Sequence, residues 1–89
     1  MGDRDRDFVV EPSGLIRTVA PSDGRSYSTT ELQGFVGGYV EQIPFASNVV
    51  EVWANEDGTL LGLASNPVAS ALAGVPLVGA VLFTAAGRV

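Results

Sequence analysis

The chain has 89 residues, 46% of them hydrophobic and 17% charged, with no cysteine, histidine or lysine. That length accommodates one small domain with a thin core, since folding at this size hides only about 60–65% of the unfolded chain's surface. Without cysteine there is no disulfide framework or thiolate metal site, and without histidine no Ser-His-Asp triad or His metal ligand. Ten acids against five arginines give a net charge of −5, which argues against recognition of a nucleic-acid backbone.

Residues 1–7 are mostly charged, with Asp3, Arg4, Asp5, Arg6 and Asp7 in alternating sign, and read as a disordered N-terminus before a single domain over 8–87. Phe8-Val9-Val10 and Leu15 to Val19 form a predicted hairpin about the Pro12-Ser13-Gly14 turn, and Pro21-Ser22-Asp23-Gly24 closes it. Ser28-Thr29-Thr30-Glu31 fits a capping box, Leu32, Phe35 and Val36 share a helical face, and Gly37-Gly38 stops the helix. Tyr39 to Ile43 alternates as a strand closed by Pro44. Val49 to Ala54 is the strongest strand, with Val50, Val52 and Ala54 on one face and Glu51 beside Trp53 on the other.

Asn55-Glu56-Asp57-Gly58 reads as a type I turn with a glycine bulge, which returns Thr59 to Leu63 antiparallel to the Trp53 strand. Asn66 directly before Pro67 predicts a capped helix through Val68, Ala69, Leu72 and Ala73, stopped by Gly74. Leu77 to Thr84, almost wholly apolar, is predicted as a central strand. The fold class expected is α+β: a mostly antiparallel sheet with two short helices packed on it.

From Thr59 to Gly87 runs a stretch of 29 uncharged residues, long enough to cross a bilayer. Asn66-Pro67 and Gly74-Val75-Pro76 break it, aromatic anchors are missing at its flanks, and Arg88 is the one basic residue near either end. It is better explained as sheet core with apolar surface left over for a partner, which predicts a homo-oligomer and no membrane contact. No secretory signal is visible, so the expected location is the cytoplasm.

Taken in order, Gly37-Gly38-Tyr39-Val40-Glu41, Asn55-Glu56-Asp57-Gly58, Leu61-Gly62-Leu63, Asn66, Ala69 and Gly79 to Phe83 resemble the family known as domain of unknown function 3846. The resemblance covers roughly residues 8–84. It implies a soluble α+β domain of phage, plasmid or phage-like origin, and no established activity. Ser70 to Pro76 departs from the family's pattern, being short and apolar where members often carry a longer, more polar stretch.

Six residues are candidates for ligand or partner binding: Gly37, Gly38, Glu41, Asn55, Glu56 and Asn66. Two glycines beside a carboxylate allow a ligand to approach the backbone, yet a helix C-cap explains them as well. Asn55, Glu56 and Asp57 offer oxygens to a hard cation, although the turn accounts for them and the spacing of an EF-hand loop is missing. Asn66 can bind a base edge or a partner's backbone, or simply cap its helix. Glu41 and Glu51, on consecutive strands, form an acid–base pair only if the sheet places them face to face. The expectation is a non-enzymatic accessory protein without cofactor or metal, a protein–protein interaction module whose acidic surface meets a basic partner. A small-ligand, nucleotide-like binder is the alternative, weakened by the absence of lysine.

Overall fold

The computed structural model describes residues 7–45, 47 and 49–89. Its elements in chain order are β1 (Asp7–Val10), β2 (Ile16–Val19), α1 (Thr29–Val36), β3 (Val40–Ile43), β4 (Val50–Asn55), α2 (Pro67–Ala73) and β5 (Val81–Ala85). The strands form one five-stranded sheet in the order β2-β1-β5-β4-β3, each antiparallel to its neighbours. The α+β class expected from the sequence is the one observed, and the apolar β5 is its central strand.

Local chemistry sets the ends of both helices. At α1 the Ser28 Oγ accepts from the Glu31 N–H at 3.1 Å while Glu31 accepts from the Ser28 N–H at 2.9 Å, the reciprocal capping box. The second Glu31 oxygen accepts from the Ser22 N–H, so one carboxylate ties the preceding turn to the helix. The two backbone donors, Ser28 first, hold this carboxyl below the ordinary glutamate range. Gly37 closes α1 in the left-handed conformation at φ 80°, which glycine adopts at little cost.

Side-chain alternation gives the sheet two apolar faces. On one, Val10, Val52, Ala54, Val81 and Phe83 pack with Ala69 and Ala73 of α2 and with Leu77. On the other, Val9 and Leu82 pack with Tyr27 and with Leu32 of α1, and Phe35 and Trp53 flank them. The helices therefore cover opposite faces, and β5 is buried from both sides. Phe8 stacks on its register partner Phe83 with ring centroids 5.0 Å apart.

Two expectations need correction. Thr59 to Leu63 is not a strand. Both sides of β4 are already occupied, by β3 through Ile43↔Val52 and by β5 through Val52↔Phe83. The 59–63 segment coils instead into successive turns, with Leu61 N–H donating to Asp57 O and Leu63 N–H to Gly58 O. β5 wins this contest because it is apolar on both sides, whereas Leu60 remains 86% exposed where it stands. Gly58 has no positive φ, as a glycine bulge would require; a Cβ there would lie 2.7 Å from Val78 Cγ2, so the residue is small to let the chain pass.

The domain boundary moves as well. Residues 1–6 lie outside the described residues, but Asp7 belongs to β1 and is buried. Its Oδ2 accepts from the Tyr27 hydroxyl at 2.6 Å and lies 3.3 Å from Arg88 Nε, while its Oδ1 accepts from the Ala85 N–H at 2.8 Å. The Tyr27 N–H donates to the Arg88 carbonyl, which brings residue 88 into the domain too. The uncharged run is divided among turns, the seven-residue α2 and β5. Among the described residues, no helix is long and apolar enough to cross a membrane.

Candidate functional site

Four of the six candidate residues have their polar groups engaged inside the fold. Gly37 and Gly38 both donate their N–H to the Gln33 carbonyl, ending α1. Gly38 lies directly beneath Asn55, where an added Cβ would meet Asn55 Nδ2 at 2.8 Å. The glycine is thus explained by the close approach of a side chain from β4. Asn55 uses that proximity: its Nδ2 donates to the Val36 carbonyl at 3.1 Å, and its Oδ1 accepts from the Asp57 N–H at 2.7 Å. One buried amide therefore satisfies the end of α1 and shapes the turn after β4.

Asn66 is fully buried. Its Oδ1 accepts from the Ala69 N–H at 3.1 Å, the N-cap bond expected of it. Its Nδ2 donates to the carbonyls of Val10 at 2.9 Å and Gly79 at 2.8 Å. Both amide hydrogens are engaged, so the side chain joins β1, α2 and the approach to β5. The side chain is enclosed in the fold and does not reach solvent.

Glu41 and Glu56 remain, both with exposed side chains. Glu41 sits opposite Ala54 across the β3–β4 ladder, and the Glu56 N–H extends that ladder by donating to Tyr39 O at 2.8 Å. The two carboxylates line an open cavity of about 300 Å³, which Asn55 also borders. Ile43, Ala54 and Leu77 supply apolar surface, and Val75 and Pro76 close one side. This wall comes from the short apolar stretch just before the last strand. Apolar surface beneath two carboxylates suits a group with an aliphatic stem and a cationic tip.

Glu41 and Glu51 do not face one another. The pairs Glu41↔Ala54 and Glu51↔Thr84 put their side chains on opposite faces of the sheet, which removes the acid–base pairing allowed by the sequence. Among the described residues, no three acidic side chains converge as a possible cation site. Sequence reasoning missed Val75, Pro76 and Leu77 as the cavity wall. The one signal available was the cluster of apolar and proline residues just before the last strand.

Comparison with known proteins gives a family and no more. No curated protein and no solved structure matches the chain. The family model described as "Domain of unknown function (DUF3846)" matches residues 7–88, a span that takes in Asp7 and Arg88 at its two ends. The family's match covers the whole described sheet and both helices, and the chain belongs to the DUF3846 family.

Proposed function

We propose that this protein is a non-catalytic binding module, an accessory protein of a phage or mobile element that acts in the host cytoplasm by capturing a basic protein partner. One observation carries this reading. Of the six candidate residues, only Glu41 and Glu56 keep their side chains available, and both line the same apolar-floored cavity. A partner's lysine or arginine laid there buries its stem against Ile43 and Leu77 and keeps its charge beside the carboxylates. The net charge of −5 speeds encounter with such a partner.

Calorimetric titration with a basic peptide tests this. Glu41→Gln combined with Glu56→Gln is expected to weaken binding at least tenfold, about 1.4 kcal/mol, and to flatten its salt dependence. Unchanged affinity in the double variant would refute the assignment. A second reading, a small ligand, draws on the cavity's volume, which is at the lower end of the roughly 300–1,000 Å³ typical of ligand pockets. Nucleotides are disfavoured because no arginine lines it among the described residues. A thermal-shift response to nucleotides, with none to basic peptides, would select that reading instead.

Association of copies forms a separate part of the proposal. Val68, Leu72 and Val75 are 36%, 49% and 39% exposed on and just beyond α2, within the uncharged run. A second copy meets no like charge from these residues, and pairing them removes apolar surface from water. Light scattering across micromolar concentrations is expected to show a dimer that Leu72→Glu disperses. A monomer at every concentration would contradict it.

A further inference from the structure

The sheet has two edges, β2 and β3, and hydrogen-bond parity fixes which backbone groups each presents. The Glu56 N–H donates to Tyr39 O, so residues 39 and 56 form a hydrogen-bonded pair of the β3–β4 ladder. Antiparallel alternation then turns the backbone groups of Glu41 and Ile43 inward to Ala54 and Val52. Those of Val40 and Gln42 point outward, along a strand with no neighbour on that side among the described residues. Pro44, the next residue whose N–H would face outward, has none, so the open donors end at Gln42. Glu41 and Gln42 have exposed side chains.

We propose that β3 is the docking edge of the module, and that an extended basic segment of the partner protein adds to it antiparallel, as one more strand. This rests on the reading that the Glu41–Glu56 cavity receives a cationic side chain, and it specifies how the backbone carrying that side chain is held. Hydrogen-bonded pairs form at Val40 and Gln42, so the partner residue opposite Glu41 lies in a non-hydrogen-bonded pair, with Cα atoms about 4.5 Å apart. Its side chain points to Glu41's face of the sheet, where the cavity opens. A lysine or arginine at that position reaches the two carboxylates, and the residues next to it in sequence, opposite Val40 and Gln42, point to the other face and are apolar.

Charge selects the occupant. Another copy of this chain brings a net charge of −5 to an edge that already carries Glu41 with Glu56 nearby. The β2 edge displays exposed Arg17, paired with Glu11 at 3.2 Å, beside Ile16 and Thr18, and so offers a basic segment no net negative charge.

The test uses ¹⁵N-labelled protein titrated with a capped heptapeptide of alternating valine and arginine, and with its counterpart carrying glutamate for arginine. The arginine peptide is expected to shift the Val40 and Gln42 amide signals most and to slow their hydrogen exchange at least tenfold. The glutamate peptide is expected to leave them unmoved. Gln42→Pro removes an outward N–H while leaving the inner ladder intact, and is expected to weaken binding at least tenfold where Gln42→Ala does not. If Gln42→Pro binds like the unmodified protein while Glu41→Gln with Glu56→Gln loses binding, strand addition is wrong and the cavity reading stands. If neither variant affects binding, or the arginine peptide fails to bind at millimolar concentration, both are wrong. Should Gln42→Pro fail to fold, unchanged exchange at Val40 and Gln42 in the saturated wild-type protein overturns the strand addition by itself.

Discussion

Asn66→Ala is expected to cost about 3–5 kcal/mol, the largest loss from any single substitution considered. It removes the donor shared by two carbonyls, Val10 and Gly79, and the cap on Ala69 N–H. A buried polar group left without its partner costs about 1–3 kcal/mol, and a lost N-cap about 1 kcal/mol. Against a total of about 5–15 kcal/mol for a small domain, that loss lowers the melting temperature by about 15–25 °C. Urea unfolding followed by Trp53 fluorescence measures it. Asn66→Ser, which keeps a capping oxygen but cannot span to both carbonyls, should fall between. A loss below about 1 kcal/mol would show that the three bonds do not join the elements as described.

The second large effect belongs to Asp7. Its carboxylate gathers the Tyr27 hydroxyl, the Ala85 N–H and Arg88 Nε in one buried cluster between the first strand and the last. Asp7→Ala should cost about 2–4 kcal/mol, because it strands a phenol and a backbone donor and removes Arg88's buried counter-charge. The same cluster sets an alkaline limit. Burial first, and then the bond to Asp7, push the Tyr27 phenol well above its ordinary value of 10.0. Above about pH 10 an unfolded chain releases this proton while the folded one keeps it, so the unfolded state binds fewer protons and stability falls as pH rises. Below about pH 10 the contribution is fully present. Tyr27→Phe should cost about 1.5–3 kcal/mol at neutral pH and remove this part of the alkaline decline. Urea midpoints measured from neutral pH to about pH 11 distinguish the two proteins; parallel alkaline slopes would contradict the account.

What the sequence discloses follows from the range of each interaction. Both helices are legible, because Ser28 with Glu31 and Asn66 with Pro67 act within a few residues, and Gly37 and Gly74 mark the ends. The choice of strand partners is less so. Thr59 to Leu63 is a plausible return strand by itself and loses only because β5, from far along the chain, occupies that side of β4. Asp7 looks like Asp3 and Asp5 until Ala85 and Arg88 arrive, and nothing nearby in sequence marks it as buried.

The candidate residues divide along the same line. Gly38 and Asn55 read as two separate motifs, yet they are one contact, the small residue making room for the large one. Glu41 and Glu51 are separated by strand parity, which pattern alone leaves open until the register is known. The motifs that carry the family resemblance are thus largely the means by which helix ends, turns and strands are joined. Of the charged residues in them, Glu41 and Glu56 are exposed and Asp57 is half-buried.

The most direct test of that division is the affinity of the valine–arginine peptide for two variants, each measured in the cold where it is folded. Asn66→Ala is predicted to bind as tightly as the unmodified protein despite its lost stability. Glu41→Gln with Glu56→Gln is predicted to keep its stability and bind at least tenfold more weakly. Weakened binding by folded Asn66→Ala, together with unchanged binding by the double glutamine variant, would contradict the account at its centre.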